Sequence, residues 1–140
     1  MLTYRLATEA DIPAMSRIRL SVTENVLSRP DRITHDMYVD HLERLGRSWV
    51  CEQSQHIIGF ASACVTDHSI WALFVHPTQE GQGAGQHLLA LACDWLFTQG
   101  APVIRLSTTP GTRADRFYQA QGWQRDGTTA DGEICYLRLR

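Results

Sequence analysis

Between Trp71 and Leu89 the chain reads WALFVHPTQEGQGAGQHLL: an apolar, strand-like run, a turn with three glycines in five positions, then residues at helical spacing. No other stretch restricts the fold as much, because a strand that feeds a helix through a glycine turn is half of a strand–helix–strand crossover. Gly81, Gly83 and Gly85 carry no side chain, so the backbone can take unusual dihedrals and approach a ligand closely. The amides of Gln82 to Gln86 lie at a helix start, where the first turn leaves N–H groups unpaired and the helix dipole favours negative charge. Such a turn can cradle a phosphate or pyrophosphate, although glycine turns also serve purely structural ends.

Two well-known phosphate loops do not match. A P-loop needs Lys and then Ser or Thr after its last glycine, whereas Gln86 and His87 follow Gly85. The dinucleotide fingerprint spaces its glycines differently and wants an acidic residue about twenty positions on; the next strand carries Arg105, Leu106 and Ser107. Nucleotide triphosphate hydrolysis is not expected, and a dinucleotide-binding fold stays as a weak third reading.

At 140 residues the length predicts one domain, residues 1–140, able to bury a core without disulfides or metal. Net charge is −2 and the basic residues are scattered, so nothing forms the basic stripe of a nucleic-acid binder. The opening MLTYRLATEADIPAM has no export-type apolar core, and no segment approaches the roughly twenty apolar residues of a membrane span, which predicts a cytoplasmic protein without membrane contact. Cys51, Cys64, Cys93 and Cys135 lie far apart in apolar patterns, without a C-x-x-C pair, and read as buried reduced thiols. The six histidines are dispersed and read as solvated; His35 and His41 lack ligand-pair spacing, so no metal site is expected.

Periodicity orders the elements. Leu2 to Ala7 predicts a strand, and Thr8 with Asp11 starts a helix carrying Ile12, Met15, Ile18 and Val22. A loop spans Asn25 to Ile33. Thr34 caps a second helix through Leu45, which Gly46 stops. Ser48 to Glu52 and Ile57 to Val65 form a hairpin, and Ser69 to Val75 a third strand of that group. A long helix runs to about Gln99, then come a strand at Val103 to Ser107, a short helix at Arg113 to Gln121, and a strand pair around Asp131 and Gly132. The order βααβββαβαββ is a mixed α/β fold, an antiparallel meander followed by a crossover.

In this setting the chain resembles the GCN5-related N-acetyltransferase (GNAT) superfamily over essentially its whole length. The family's acyl-CoA loop, Gln or Arg, two residues, Gly, one residue, then Gly or Ala, is matched by Glu80-Gly81-Gln82-Gly83-Ala84-Gly85 except at its first position. Phe117-Tyr118 precedes Gly122-Trp123 with the spacing of the family's F-Y-x-x-x-G-F element. Glu80 departs from the usual basic or amide residue, and Gly111 and Thr112 replace an Asn that often precedes the short helix.

The resemblance implies a mainly antiparallel twisted sheet whose fourth and fifth strands splay apart, with acetyl-CoA as cosubstrate and no metal. By position, Gly81, Gln82, Gly83, Ala84, Gly85 and Gln86 would hold the CoA pyrophosphate through backbone amides, while Phe74 and Val75 would pair with the pantetheine arm. Tyr118 stands at the family's general-acid position, a core tyrosine with a satisfied hydroxyl being the alternative. Direct transfer needs a neutral amine, and alkyl amines with a pKa of about 10.4 are mostly protonated at neutral pH, so a proton acceptor is required. Glu24 is the first candidate base or amine contact; Asp67, His68 and a water relay are rivals. Trp71 and Phe74 are expected on opposite faces of their strand, and Arg19, Arg29, Arg32 and Arg113 are possible anion contacts. The implied reaction is acetyl transfer to a primary amine in a ternary complex, with a small-molecule acceptor preferred over a protein N-terminus or lysine. A non-catalytic acyl-CoA sensor is the alternative from another class. Family analogy also allows a homodimer.

Overall fold

The computed structural model describes residues 1–22 and 33–140. Among them, seven strands form one sheet in the order β1-β2-β3-β4-β5-β7-β6. The strands are β1 (Leu2–Leu6), β2 (Gly46–Gln53), β3 (His56–Cys64), β4 (Ser69–Val75), β5 (Val103–Thr108), β6 (Gln124–Thr128) and β7 (Ile134–Leu139). The helices are α1 (Ile12–Ser21), α2 (His35–Asp40), α3 (Ala84–Thr98) and α4 (Arg113–Ala120). Every neighbouring pair is antiparallel except β4 with β5, which the crossover through α3 makes parallel. The element order is the one that periodicity predicts.

Each face of the sheet has its own core. On one, α3 buries Ala84, Leu88, Leu89, Ala92, Cys93 and Leu96, a stripe at three- and four-residue intervals, against Cys51, Ala61, Ile70, Ile104 and Leu106. A leucine so buried contributes about 1.5–3 kcal/mol relative to an exposed one. On the other face Ile12, Met15 and Ile18 of α1 and Tyr38 of α2 pack on Val50, Phe60 and Ala72. The start of α1 is tied to the sheet by Arg5, whose guanidinium donates to both oxygens of Asp11 at 2.8 and 2.9 Å while Asp11 accepts from the Thr8 amide.

Three expectations change. The second helix ends at Asp40, and Gly46 begins β2. Its role is close approach: a Cβ there would lie 1.6 Å from the Ala63 carbonyl oxygen across the β2–β3 pair. His41 is buried rather than solvated, its ring stacked on Trp71 at 4.0 Å and its Nδ1 donating to the Met37 carbonyl at 2.8 Å. The third concerns strand register. Ala63 pairs with Ile70 but Ser62 with Ala72, so Trp71 is an extra residue in β4, a β-bulge. The bulge interrupts simple alternation, and Trp71 and Phe74 both pack on the α1/α2 side instead of opposite sides.

The sheet parts in its middle. β4 and β5 share a single registered pair, Ser69 with Arg105, next to one hydrogen bond from the Arg105 amide to the His68 carbonyl at 3.0 Å. Beyond that point β4 runs toward the glycine turn without a partner on its β5 side.

Gly46→Ala tests the close approach. Because backbone atoms meet the added carbon, the variant should lose about 3 kcal/mol or more in urea unfolding. A loss of a few tenths would mean the strands separate at no cost.

Candidate active site

Two cavities open on either side of the parted strands. The first, about 290 Å³, runs between β4, the glycine turn and the start of α4, lined by Leu73, Phe74, Val75, Glu80, Gly83 to Gln86, Arg113 and Tyr118 among others. The second, about 490 Å³, lies toward the narrow end of the gap, between β4, β5 and the β6–β7 turn. They share Leu73, Phe74, Ala114 and Tyr118. The two spaces therefore meet at one tyrosine.

In the glycine turn, Gly81 and Gly83 take φ of +87° and +86°, a region that costs other residues energy, and Gly83 is the residue from which α3 starts. A glycine cap offers no side-chain acceptor, and the first amide to find a helical carbonyl is that of His87, bonded to the Gly83 oxygen at 3.1 Å. The amides of Ala84, Gly85 and Gln86 lack partners among the described residues and line the first cavity. Gln82 is placed differently: its side chain donates to Gln79 Oε1 at 2.7 Å and accepts from Gln53 at 3.2 Å, outside the cavity wall.

Alternation along β4 assigns its backbone groups. The His76 amide donates to the Ile58 carbonyl of β3, so Phe74 also directs its backbone toward β3, while Leu73 and Val75 direct theirs into the gap. Phe74 thus lines the cleft with its ring and Val75 with its peptide as well.

Glu80, the departure from the loop motif, lies 3.2 Å from Arg113 Nε, an ion pair linking the glycine turn to the start of α4 across the first cavity. Arg113 enters the site through this partner. Neither residue's local sequence signals the pairing.

Tyr118 is 6% exposed, its ring set among Phe117, Trp123 and Tyr136. Its hydroxyl has no hydrogen-bond partner among the described residues and opens into the cavities. Burial pushes its pKa up from the ordinary tyrosine value, and the nearby Cys93 thiol adds to the shift. The proton is therefore held firmly at neutral pH. Tyr136 is the contrasting case, fully buried, its hydroxyl donating to Asp115 in α4. That bond, with one from the Gly111 amide at 2.9 Å and with Arg125 nearby, holds the Asp115 carboxyl below the usual carboxylate range. Thr112 caps the same helix by accepting from the Asp115 amide at 3.2 Å. The helix that presents Tyr118 is thus anchored at its first turn.

The second cavity carries charge that motif reading overlooks. Asp67 accepts from Ser69 Oγ at 2.6 Å, and Glu133, brought in by the β6–β7 turn, accepts from Ser107 Oγ at 2.9 Å. Arg105 pairs with Asp126 at 2.6 Å, and Arg19 sits 5.6 Å from the Phe74 ring centroid. Trp71 lines this cavity as well. Glu24, Arg29 and Arg32 lie outside the described residues. Among the described residues no group of His, Cys, Asp and Glu is arranged to hold a metal, and no helix is long and apolar enough to cross a membrane.

A mainly antiparallel sheet that parts at β4 and β5, over a helix start with free amides, is the architecture of an acetyltransferase. The chain belongs to the Acetyltransferase (GNAT) family, whose model matches residues 12–123. An uncharacterized ycf52-like N-acetyltransferase of Prochlorococcus marinus is 35% identical over 71 residues, 48% of this chain and 38% of that protein, so the match spans well under half of the relative. Solved structures agree in fold. The PaiA N-acetyltransferase of Thermoplasma acidophilum, in complex with coenzyme A, aligns with TM-score 0.84 at 14% identity, covering 100% of this chain and 99% of that one. The ribosomal-protein-S18-alanine N-acetyltransferase of Escherichia coli gives 0.75 at 20% identity, covering 98% and 91%. The yncA protein of Salmonella typhimurium, solved with acetyl-CoA, gives 0.80 at 19%, covering 99% and 94%.

Asp115→Asn should lower stability by about 1–3 kcal/mol, because the Tyr136 hydroxyl and Gly111 amide lose a charged acceptor. A depressed folded pKa stabilises fully above the unfolded value of about 3.9 and is lost as pH falls through the folded value. The deficit of the variant should therefore be constant near neutrality and shrink in acid, read by urea unfolding across pH. A pH-independent deficit would deny the carboxylate its role.

Proposed function

We propose that this chain is a single-domain, cytoplasmic N-acetyltransferase that moves an acetyl group from acetyl-CoA to a primary amine of a small molecule within a ternary complex. The observation that carries this reading is the meeting of two cavities at one buried tyrosine hydroxyl that lacks a partner among the described residues. One cavity suits each substrate. The first has the free amides of Ala84, Gly85 and Gln86 for the pyrophosphate, and the Leu73 and Val75 peptides facing the gap for the pantetheine arm. The second, about 490 Å³, is of the size that encloses a small molecule.

In the reaction the neutral amine attacks the thioester carbonyl, a C–N bond forms, the C–S bond breaks, and the amine proton ends on the CoA sulfur. The oxyanion of the tetrahedral intermediate lies near β4, where the Leu73 amide is the natural donor. Tyr118 donates a hydrogen bond to the departing sulfur. A thiolate whose conjugate thiol has a pKa of about 8.5 is a weaker base than tyrosinate, so Tyr118 acts best by relaying a proton that the acylated nitrogen supplies. Glu24 is the proposed acceptor of the separate proton that the substrate ammonium sheds before attack, on sequence grounds alone. All thirteen Lys-or-Arg residues are arginine, so the chain offers no lysine amine as a competing acceptor.

Tyr118→Phe should reduce kcat about 10²-fold in a thiol-release assay with acetyl-CoA and a panel of amines, while CoA affinity by calorimetry stays unchanged. Because its pKa is raised, the native rate should climb with pH as the amine deprotonates and show no decline from Tyr118 below about pH 10. Unaltered kcat in the variant would remove Tyr118 from the mechanism. CoA binding without turnover of any amine would replace the enzyme with an acyl-CoA sensor.

The Glu80–Arg113 pair generates a second outcome. Glu80 puts a carboxylate beside the proposed pyrophosphate site, and Arg113 offsets it. Glu80→Gln keeps the arginine and removes the negative charge, so CoA should bind about two- to fivefold tighter; Arg113→Ala should weaken it about tenfold. Weaker binding in Glu80→Gln would show that the pair acts by shaping the turn.

A further inference from the structure

The second cavity identifies the kind of amine, an inference that rests on the acetyltransferase reading. Of the charged side chains that line it, Arg105 and Asp126 neutralise each other at 2.6 Å. Arg19 stands apart, against the Phe74 ring. What remains are Asp67 and Glu133, each held by a serine hydroxyl and neither in an ion pair among the described residues. Their serines, Ser69 and Ser107, are on the two strands that part, at the narrow end of the gap. Independently of these carboxylates, the Tyr118 hydroxyl, buried and without a partner among the described residues, opens into the same cavity and marks the proposed point of transfer.

Strand geometry gives the spacing. Ser69 lies five residues before Phe74, but the bulge at Trp71 takes up one of them, and four steps of about 3.3 Å put it roughly 13 Å along β4 from the transfer point. Ser107 lies two residues beyond Arg105, the partner of Ser69, which puts it level with Trp71 and roughly 7 Å away. A substrate nitrogen at Tyr118 therefore has carboxylates ahead of it at two distances along one groove. We propose that the acceptor is an extended aliphatic di- or triamine: one primary amine reacts at Tyr118, and distal ammonium groups are bound by Glu133 and Asp67. The stem lies along the cavity wall between them, against Trp71 and Ala72.

The test uses the full chain, acetyl-CoA and thiol release, with α,ω-diamines from diaminopropane to diaminodecane, n-octylamine, the terminal amino acid aminooctanoate, and a short basic peptide. Diaminooctane or longer should exceed both octylamine and diaminopropane in kcat/KM by about fivefold, the worth of the one exposed charge contact that its single distal ammonium makes. In Asp67→Asn combined with Glu133→Gln the diamine-to-octylamine ratio should fall to about one through KM for the diamine, with a CoA-induced thermal shift confirming that the variant is folded. Equal use of octylamine, a preference for aminooctanoate through Arg19, or a better peptide substrate would each overturn the proposal while leaving acetyl transfer intact. Should the variant fail to fold, the native amine series still decides. Failure of every amine despite CoA binding would defeat the enzyme reading and this one together.

Discussion

The parting of β4 from β5 is the constraint from which the rest of the site follows. A strand in the middle of a sheet ordinarily has both edges paired, and unpaired backbone groups away from water are costly. Here the Leu73 and Val75 peptides face a gap inside the molecule. They require either water or a ligand with its own amides and carbonyls, and the crossover helix α3 begins just where that ligand's phosphates would lie. One interruption in the hydrogen-bond ladder thus supplies a polar edge and, under the proposed function, an entry for each substrate and a place for them to meet. The rest of the sheet is well paired, with α3 packed on one face and α1 with α2 on the other.

Much of this was legible in the residues, for a physical reason in each case. The glycine turn is visible because positive φ at Gly81 and Gly83 and an uncapped helix start leave a compositional mark. Tyr118 is visible through its spacing from Gly122-Trp123, and the element order through periodicity. What escaped depends on contacts between distant segments. Gly46 looks like a helix stop, yet its lack of a side chain answers to Ala63 on the neighbouring strand. The bulge at Trp71 is a property of the β3–β4 pair rather than of either strand, and it puts Trp71 on the same side as Phe74 where alternation predicts opposite sides. Glu133 bears no motif and reaches the cavity only because β7 pairs with β5.

The two tyrosines near α4 show how one environment can separate structural from chemical roles. Tyr118 and Tyr136 pack within 5.9 Å of one another, ring centre to ring centre. Tyr136 donates to Asp115 and thereby fixes the first turn of α4, while Tyr118, one turn further along that helix, is left with its hydroxyl toward the cavities. Burial of the Tyr118 ring supplies rigidity and keeps the proton in place; under the proposed mechanism its hydroxyl is the group that meets the departing sulfur. Were Asp115 to reach Tyr118 instead, the carboxylate would occupy the donor that transfer requires.

The loop's acidic first residue has a related logic. A basic side chain at that position would meet phosphate directly, whereas Glu80 repels it unless another charge intervenes. Arg113 does so from the opposite wall, so positive charge is moved from the turn to the helix that carries Tyr118. Phosphate on the α3 amides would then pull Arg113 away from Glu80, coupling cofactor arrival to the start of α4. Since Asp115 anchors that same first turn, any strain from this exchange is carried by a helix already tied at Thr112 and Tyr136. The substitution that looks like a defect in the motif is better understood as a redistribution of charge across the cleft, from which the molecule gains a link between its two walls.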